Sequence, residues 1–153
     1  MHITLLAIGR LKAGPQQDLF NDYVGRLTFR VEVKEIELKR KHPQSVIKVK
    51  ESEALLAAIP EGSKVIALDE RGKSLTSEAF AETLRNWRDS GSAEVCFIIG
   101  GADGLHPEVR DKADLVLQFG AMTWPHLMVR VMLAEQLFRA QAIWSGHPYH
   151  RDS

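Results

Sequence analysis

Cysteine is nearly absent from this chain: Cys96 stands alone among 153 residues. A single thiol closes no internal disulfide, which excludes the small cross-linked extracellular domains. Within the run Val95-Cys96-Phe97-Ile98-Ile99 it reads as a small buried hydrophobe, and it leaves no cysteine cluster for a metal. Long apolar runs are missing as well. No stretch approaches a bilayer span, and the opening apolar segment 3–8 is too short, and too poor in preceding basic residues, for a secretory leader. Excess charge of either sign is also lacking, because 20 Lys and Arg balance 20 Asp and Glu. A global electrostatic case for a polyanionic partner therefore fails. Repeats, low-complexity tracts and glycine-serine linkers do not interrupt the chain. One domain over residues 1–153, in a reducing cytoplasm and without a membrane or metal, is the expectation.

What is present is an alternation of strands and helices. Residues 3–8 form a nearly continuous apolar run before Gly9, which suits a strand buried on both faces. Gly14-Pro15 opens a helix in which Leu19, Phe20, Tyr23, Val24 and Leu27 recur at helical spacing. Over 30–38 the apolar residues shift phase, from Val31 and Val33 to Ile36 and Leu38, which predicts a strand with a bulge near a sheet edge. A helix from Pro43 to Ala58, a buried strand over 65–68 and a loop over 69–73 follow. Thr76 suits the N-cap of a helix over 77–89, and a strand over 95–99 leads into the loop Gly100-Gly101-Ala102-Asp103-Gly104. A short helix near Pro107, a strand over 115–119 and a long helix from Pro125 to about Trp144 complete the chain. The fold class is α/β, with a mainly parallel sheet covered by helices on both faces. Ligands in such sheets bind beyond the carboxyl ends of strands, so the loops after Leu68, Ile99 and Phe119 are the first candidates.

Three features go beyond the fold. The glycine loop at 100–104 lacks the lysine and spacing of a phosphate loop and reads first as a tight strand-to-helix turn, although its glycines admit a ligand near the backbone. The last helix is apolar on nearly every side, from Leu127 to Ile143, and one sheet covers only one side; a second copy of the chain is the economical cover for the other. On that helix Glu135 and Arg139 are spaced to pair as a structural ion pair, while His126 and Arg130 share a face beside the loop at 120–124. The tail His147-Pro148-Tyr149-His150-Arg151 combines groups that stack on unpaired bases and meet phosphate, ahead of metal ligation, for which a third ligand is lacking. Lys39, Arg40, Lys41, His42, Lys48 and Lys50 form a basic cluster that reads first as a solvated face.

In order and spacing, Ile99-Gly100-Gly101-x-x-Gly104, Met122-Thr123-x-Pro125-His126, Arg130, Glu135-Gln136-x-x-Arg139-Ala140 and His147-Pro148-Tyr149-His150-Arg151 resemble the RlmH family. These are ribosomal large-subunit pseudouridine N3-methyltransferases of the SPOUT superfamily. The resemblance spans essentially the whole chain and includes Leu68-Asp69-x-x-Gly72-Lys73. It implies a C-terminal trefoil knot, a homodimer, S-adenosyl-L-methionine as cofactor, and a pseudouridine in a stem-loop of 23S rRNA, within the ribosome, as substrate. Carried over by position, cofactor contacts come from Leu68, Gly101, and the loop Gly120, Ala121, Met122, Thr123, Trp124 and Pro125. Trp124 and Phe138 depart from the family's usual aliphatic residue and tyrosine. For the reaction itself, the acceptor imide must lose a proton and its anion must be stabilised. His150 and Arg151 are the candidates, with Tyr149 stacking on the base and the tail supplied by either subunit. A related enzyme methylating a ribose or another base, and a non-catalytic ribosome-binding module, are the competing readings.

Overall fold

The computed structural model describes residues 1–38 and 42–151. Of the basic cluster, Lys39, Arg40 and Lys41 lie outside the described residues. The elements run β1 (His2–Ile8), α1 (Pro15–Gly25), β2 (Arg30–Ile36), α2 (Gln44–Ala58), β3 (Lys64–Ser74), α3 (Ser77–Asp89), β4 (Glu94–Ile99), α4 (Pro107–Lys112), β5 (Leu115–Gln118) and α5 (His126–Ser145). They build a five-stranded sheet in the order β2-β1-β4-β3-β5, with every neighbouring pair parallel. No helix among the described residues is long and apolar enough to cross a membrane.

Strand periodicity distributes the core between two layers. Ile3, Leu5 and Ala7 of β1, with Phe97 of β4 and Ile66 of β3, face α1, α3 and α5. Leu6, Ile98 and Ala67, one residue out of phase with these, face α2 and α4 through Leu55 and Val109. Cys96 belongs to this second layer and is fully buried; burial pushes its thiol up to about 12, which leaves it protonated and inert. Thr76 caps α3 as its sequence predicts, its Oγ1 accepting from the Ala79 N–H at 3.0 Å.

Two expectations are corrected. The bulge predicted within 30–38 is not in β2, which pairs with β1 without interruption from Arg30 to Ile36. As an edge strand β2 is only partly covered, so its apolar residues need not keep to one face. The irregularity lies in β3 instead, where the predicted loop at 69–73 belongs to the strand. Pairing with β5 breaks after Leu68 and resumes at Lys73 and Ser74. The rejoining is possible because Gly72 has no side chain: a Cβ there would lie 2.6 Å from the backbone of Val116 and Leu117. The Gln118 side-chain amide, donating to the Gly72 carbonyl at 2.8 Å, fastens the junction.

The last helix is also better covered within one chain than its composition suggests. It packs between α1 and α3, and none of residues 126–144 is exposed. Its first turns are anchored by Arg130, which is 1% exposed. The guanidinium donates to Glu35 Oε2 at 2.6 Å and to the Gly9 carbonyl at 2.9 Å, tying α5 to the ends of β1 and β2. Glu35 also accepts from the Leu11 N–H at 2.6 Å. Burial opposes ionisation of Glu35, but the hydrogen bonds from Arg130 and Leu11 and the charges of Arg130 and Arg10 outweigh it, holding the carboxyl below its ordinary range.

Removing one partner of a buried pair strands the other charge. Glu35→Ala should therefore lower the unfolding free energy by about 3 kcal/mol in urea denaturation, the low end for such pairs because Glu35 still meets water. Because its folded pKa is depressed, the contribution of Glu35 is present above the unfolded carboxylate range and is lost as pH falls through the folded value. The difference between wild type and variant should narrow accordingly below about pH 4; an undiminished gap there would contradict the assignment.

Candidate active site at the strand ends

The irregular stretch of β3 after Leu68 and the carboxyl ends of β4 and β5 enclose a cleft of about 250 Å³. Its apolar walls are Leu68, Ile99, Leu117 and Val129, and Gly100, Gly104 and Gly120 supply bare backbone. Gly100 is required by the loop's own closure, since a Cβ there would meet the Gly104 carbonyl oxygen at 2.9 Å. The Gly104 N–H donates back to the Gly101 carbonyl at 3.1 Å, so the loop folds on itself beside the cleft. Gly120, at φ +107°, turns the chain out of β5 in a conformation that L side chains rarely adopt. Trp124 then donates its indole N–H to the Phe119 carbonyl at 3.1 Å, which holds the loop closed over the strand end.

Of the residues placed here by sequence, Leu68, Gly120, Met122, Thr123 and Trp124 line the cleft. Ala121 and Pro125 belong to the same loop without lining it, and Pro125 is the N-cap of α5. Gly101 is turned to the opposite side, where a Cβ would meet Ile8 at 3.1 Å; its neighbours Gly100 and Ala102 face the cleft instead. Asp69 and Arg71, from the stretch after Leu68 that the sequence marks, and His126, beside the loop at 120–124, line it as well. The Asp69 side chain is 3% exposed, accepts from the Arg71 N–H at 2.9 Å, and lies 3.9 Å from Arg110. A helical reading of 126 and 130 places both residues beside the loop, as observed, but separates their roles only in three dimensions. Both terminal nitrogens of Arg130 make anchoring bonds, while its Nε and the His126 Nδ1 are buried without a partner among the described residues. Burial, and then the charge of Arg130, lowers the His126 pKa, so the ring is neutral at neutral pH.

The tail is ordered and lies elsewhere. Tyr149 donates to Glu135 at 2.9 Å and sets its ring edge-on to Phe138 at 4.7 Å. His150 bridges Arg139 at 3.1 Å and Glu78 of α3 at 2.7 Å, and the Arg139 guanidinium lies over the Tyr149 ring at 4.8 Å. Burial first, then hydrogen bonds with Tyr23 and Glu135, pushes the Tyr149 hydroxyl well above its ordinary range. The Glu135–Arg139 pair is thus structural, as its spacing suggests, and what it holds is the tail. Glu135 in turn lines an apolar-walled groove of about 570 Å³, shared by Leu19 and Tyr23 of α1, Phe80 of α3 and Met132 of α5. None of Tyr149, His150 and Arg151 lines the strand-end cleft of its own chain.

An all-parallel α/β sheet whose cleft is made by the irregular stretch of β3 after Leu68 and by the loops after β4 and β5 defines a strand-end ligand-binding domain. The model of the family described as "Predicted SPOUT methyltransferase" matches residues 1–150, and the chain belongs to this SPOUT methyltransferase family. It is similar to proteins named "Ribosomal RNA large subunit methyltransferase H" from Rhodospirillum centenum and Paramagnetospirillum magneticum. Each is 54% identical over 151 residues, covering 99% of both chains. A third so named, from Rhodopseudomonas palustris, is 50% identical over 159 residues, again covering 99% of each. Among solved structures, a probable methyltransferase from Bordetella pertussis Tohama I shares the fold, with a TM-score of 0.56 at 13% identity over 90% of this chain and 95% of that one.

The contact of Gly72 with β5 makes a sensitive test of the cleft's rear wall. Gly72→Ala must displace β5 or strain β3. It should cost about 2 kcal/mol, as overpacking does, and lower the melting midpoint by about 4–8 °C. A calorimetric midpoint within a degree of wild type would mean that the junction yields freely.

Proposed function

We propose that this chain is a homodimeric, cytoplasmic enzyme that transfers a methyl group from S-adenosyl-L-methionine to N3 of a pseudouridine in a stem-loop of 23S rRNA, with the ribosome as the setting. The observation that carries the reading is the strand-end cleft, found in a chain 54% identical end to end to relatives named for methylation of the large-subunit RNA. The residues present fit the cofactor. Apolar walls at Leu68, Leu117 and Val129 suit a flat purine, bare glycine backbone suits its polar edges, and Glu70 and Asp103 in the lining suit a cationic ligand. When bound, the cofactor supplies an activated methyl on a sulfonium centre.

The chain's own residues then have three tasks. Leu68 and the loop at 120–124 hold the ligand, while Trp124, pinned to Phe119, and the exposed Met122 screen it from water. His150 takes the imide proton, Arg151 stabilises the resulting anion, and Tyr149 stacks on the base. Since the tail does not reach the cleft of its own chain, the partner subunit's tail serves each site. The exposed apolar side chains of Leu19, Met122 and Trp124 around the cleft and the α1/α5 groove support a partner at this face. The family's C-terminal trefoil knot belongs to the same proposal.

Labelled methyl transfer to ribosomes from cells lacking this protein, followed by nucleoside analysis, tests the reading. The label should appear in 3-methylpseudouridine; label in a ribose or another base, or none, would refute it. His150→Ala should slow transfer by about 100-fold or more and leave cofactor affinity within about twofold. Loss of cofactor binding in that variant would instead make His150 a structural residue of the tail.

A further inference from the structure

A second cavity, of about 560 Å³, lies beside the cofactor cleft at the ends of β1, β2 and β4 and shares His126 with it. None of Tyr149, His150 and Arg151 lines either space. The tail has instead a mount built from two helices. Ser77 of α3 donates its hydroxyl to Gln136 at 2.8 Å, and Trp144 of α5 donates its indole N–H to the Ala81 carbonyl at 2.9 Å. These bonds clamp the first turn of α3 to α5. Glu78 and Arg139, one from each helix, are thereby held on either side of the His150 ring. Glu78 lies in the first turn of α3, where a helix favours an anion. Its own backbone N–H first, then the hydrogen bond with His150, holds its carboxyl below the ordinary range.

The two contacts of the ring fix where its hydrogen sits. Arg139 Nη1 lies 3.1 Å from Nδ1, and a guanidinium only donates hydrogen bonds. Nδ1 is therefore the nitrogen with the free electron pair. Nε2 then carries the ring hydrogen and donates it to Glu78 Oε1 at 2.7 Å. The opposite assignment would set two N–H groups against each other on one side and a bare lone pair against a carboxylate on the other. Arg139 does not depend on His150 for its place. Its Nε and Nη2 both donate to Glu135 Oε1, at 3.0 and 2.6 Å, and its guanidinium lies over the Tyr149 ring. Nη1 can thus yield Nδ1 to another donor without freeing the side chain.

The geometry points to Glu78 as a positioning residue for the proton transfer: it holds His150 as the Nε2–H tautomer and leaves Nδ1 as the proton-accepting nitrogen. The inference rests on the reading above that His150 takes the imide proton. In that step the acceptor's N3–H displaces the Arg139 N–H from Nδ1. The N3–H bond breaks with its electron pair left on N3, an Nδ1–H bond forms, and the ring becomes an imidazolium. The Arg139 charge opposes the new cation, and Glu135 offsets that charge. Glu78, bonded to the ring through Nε2–H, favours the cation directly. A carboxylate that orients a base in this way also stabilises its protonated form.

Glu78→Gln is the variant to compare with wild type, because a carboxamide oxygen still accepts from Nε2–H while the charge is gone. In the full-length protein acting on ribosomes, kcat should fall by about 10-fold or more, with KM and cofactor affinity within about twofold. The melting midpoint should not move. A latch that merely held the tail would be rescued by glutamine and lost only in Glu78→Ala. As an independent measurement on wild type, nitrogen-15 spectra of histidine-labelled protein at about pH 8, above the ordinary histidine range, read the tautomer. The His150 signal, identified by its absence from His150→Ala, should show Nε2 protonated and Nδ1 bare. Wild-type kcat in Glu78→Gln, or a hydrogen on Nδ1, would overturn the inference, while a slow His150→Ala would keep His150 as the proton acceptor. Full-rate transfer by His150→Ala would overturn both.

Discussion

Arg130 is the constraint on which the strand-end architecture depends. A guanidinium that is 1% exposed must find acceptors inside the protein, and it finds them at Glu35 and at the carbonyls ending β1. Those bonds fix the first turns of the longest helix against the two strands farthest from β5. Everything at the helix start follows. His126 is held against Gly9, Pro125 is set as the cap, and the loop from Gly120 is stretched between β5 and a fixed point.

The same anchoring explains why one short chain holds two cavities at one edge of its sheet. His126 lines both, and burial, with the charge of Arg130 second, keeps its ring neutral. On one side, glycines at 100, 104 and 120 leave backbone uncovered beside apolar walls. On the other, carboxylates from β2's end and from α2 meet isoleucines. The two cavities are separate, and the His126 imidazole is common to their linings.

The tail reveals a different use of charge. Glu78, Glu135 and Arg139 lie on two helices and converge on Tyr149 and His150, so that chain-terminal residues, usually loose, are held in place. Phe138 makes a T-shaped contact with the Tyr149 ring and offers a face to Arg26 at 4.4 Å.

By itself the sequence determined the elements and their class. Apolar runs bounded by glycine, helical spacing, the cap at Thr76 and the strand-helix alternation are local patterns, and local propensity settles them. It also marked the loops after Leu68, Ile99 and Phe119, because strand ends are where parallel sheets bind ligands. Only the tertiary structure decided which side of the glycine loop each residue faces, turning Gly101 away from the cleft and Asp69 into it. It also moved the strand irregularity from β2 to β3, since edge exposure relaxes one pattern and a missing side chain at Gly72 permits the other. Long-range contacts such as Arg130 with Glu35, or Tyr149 with Glu135 and His150 with Glu78 in the tail, join residues that no local pattern pairs. No periodicity records such a pairing, because its energy exists only after the sheet has brought the partners together.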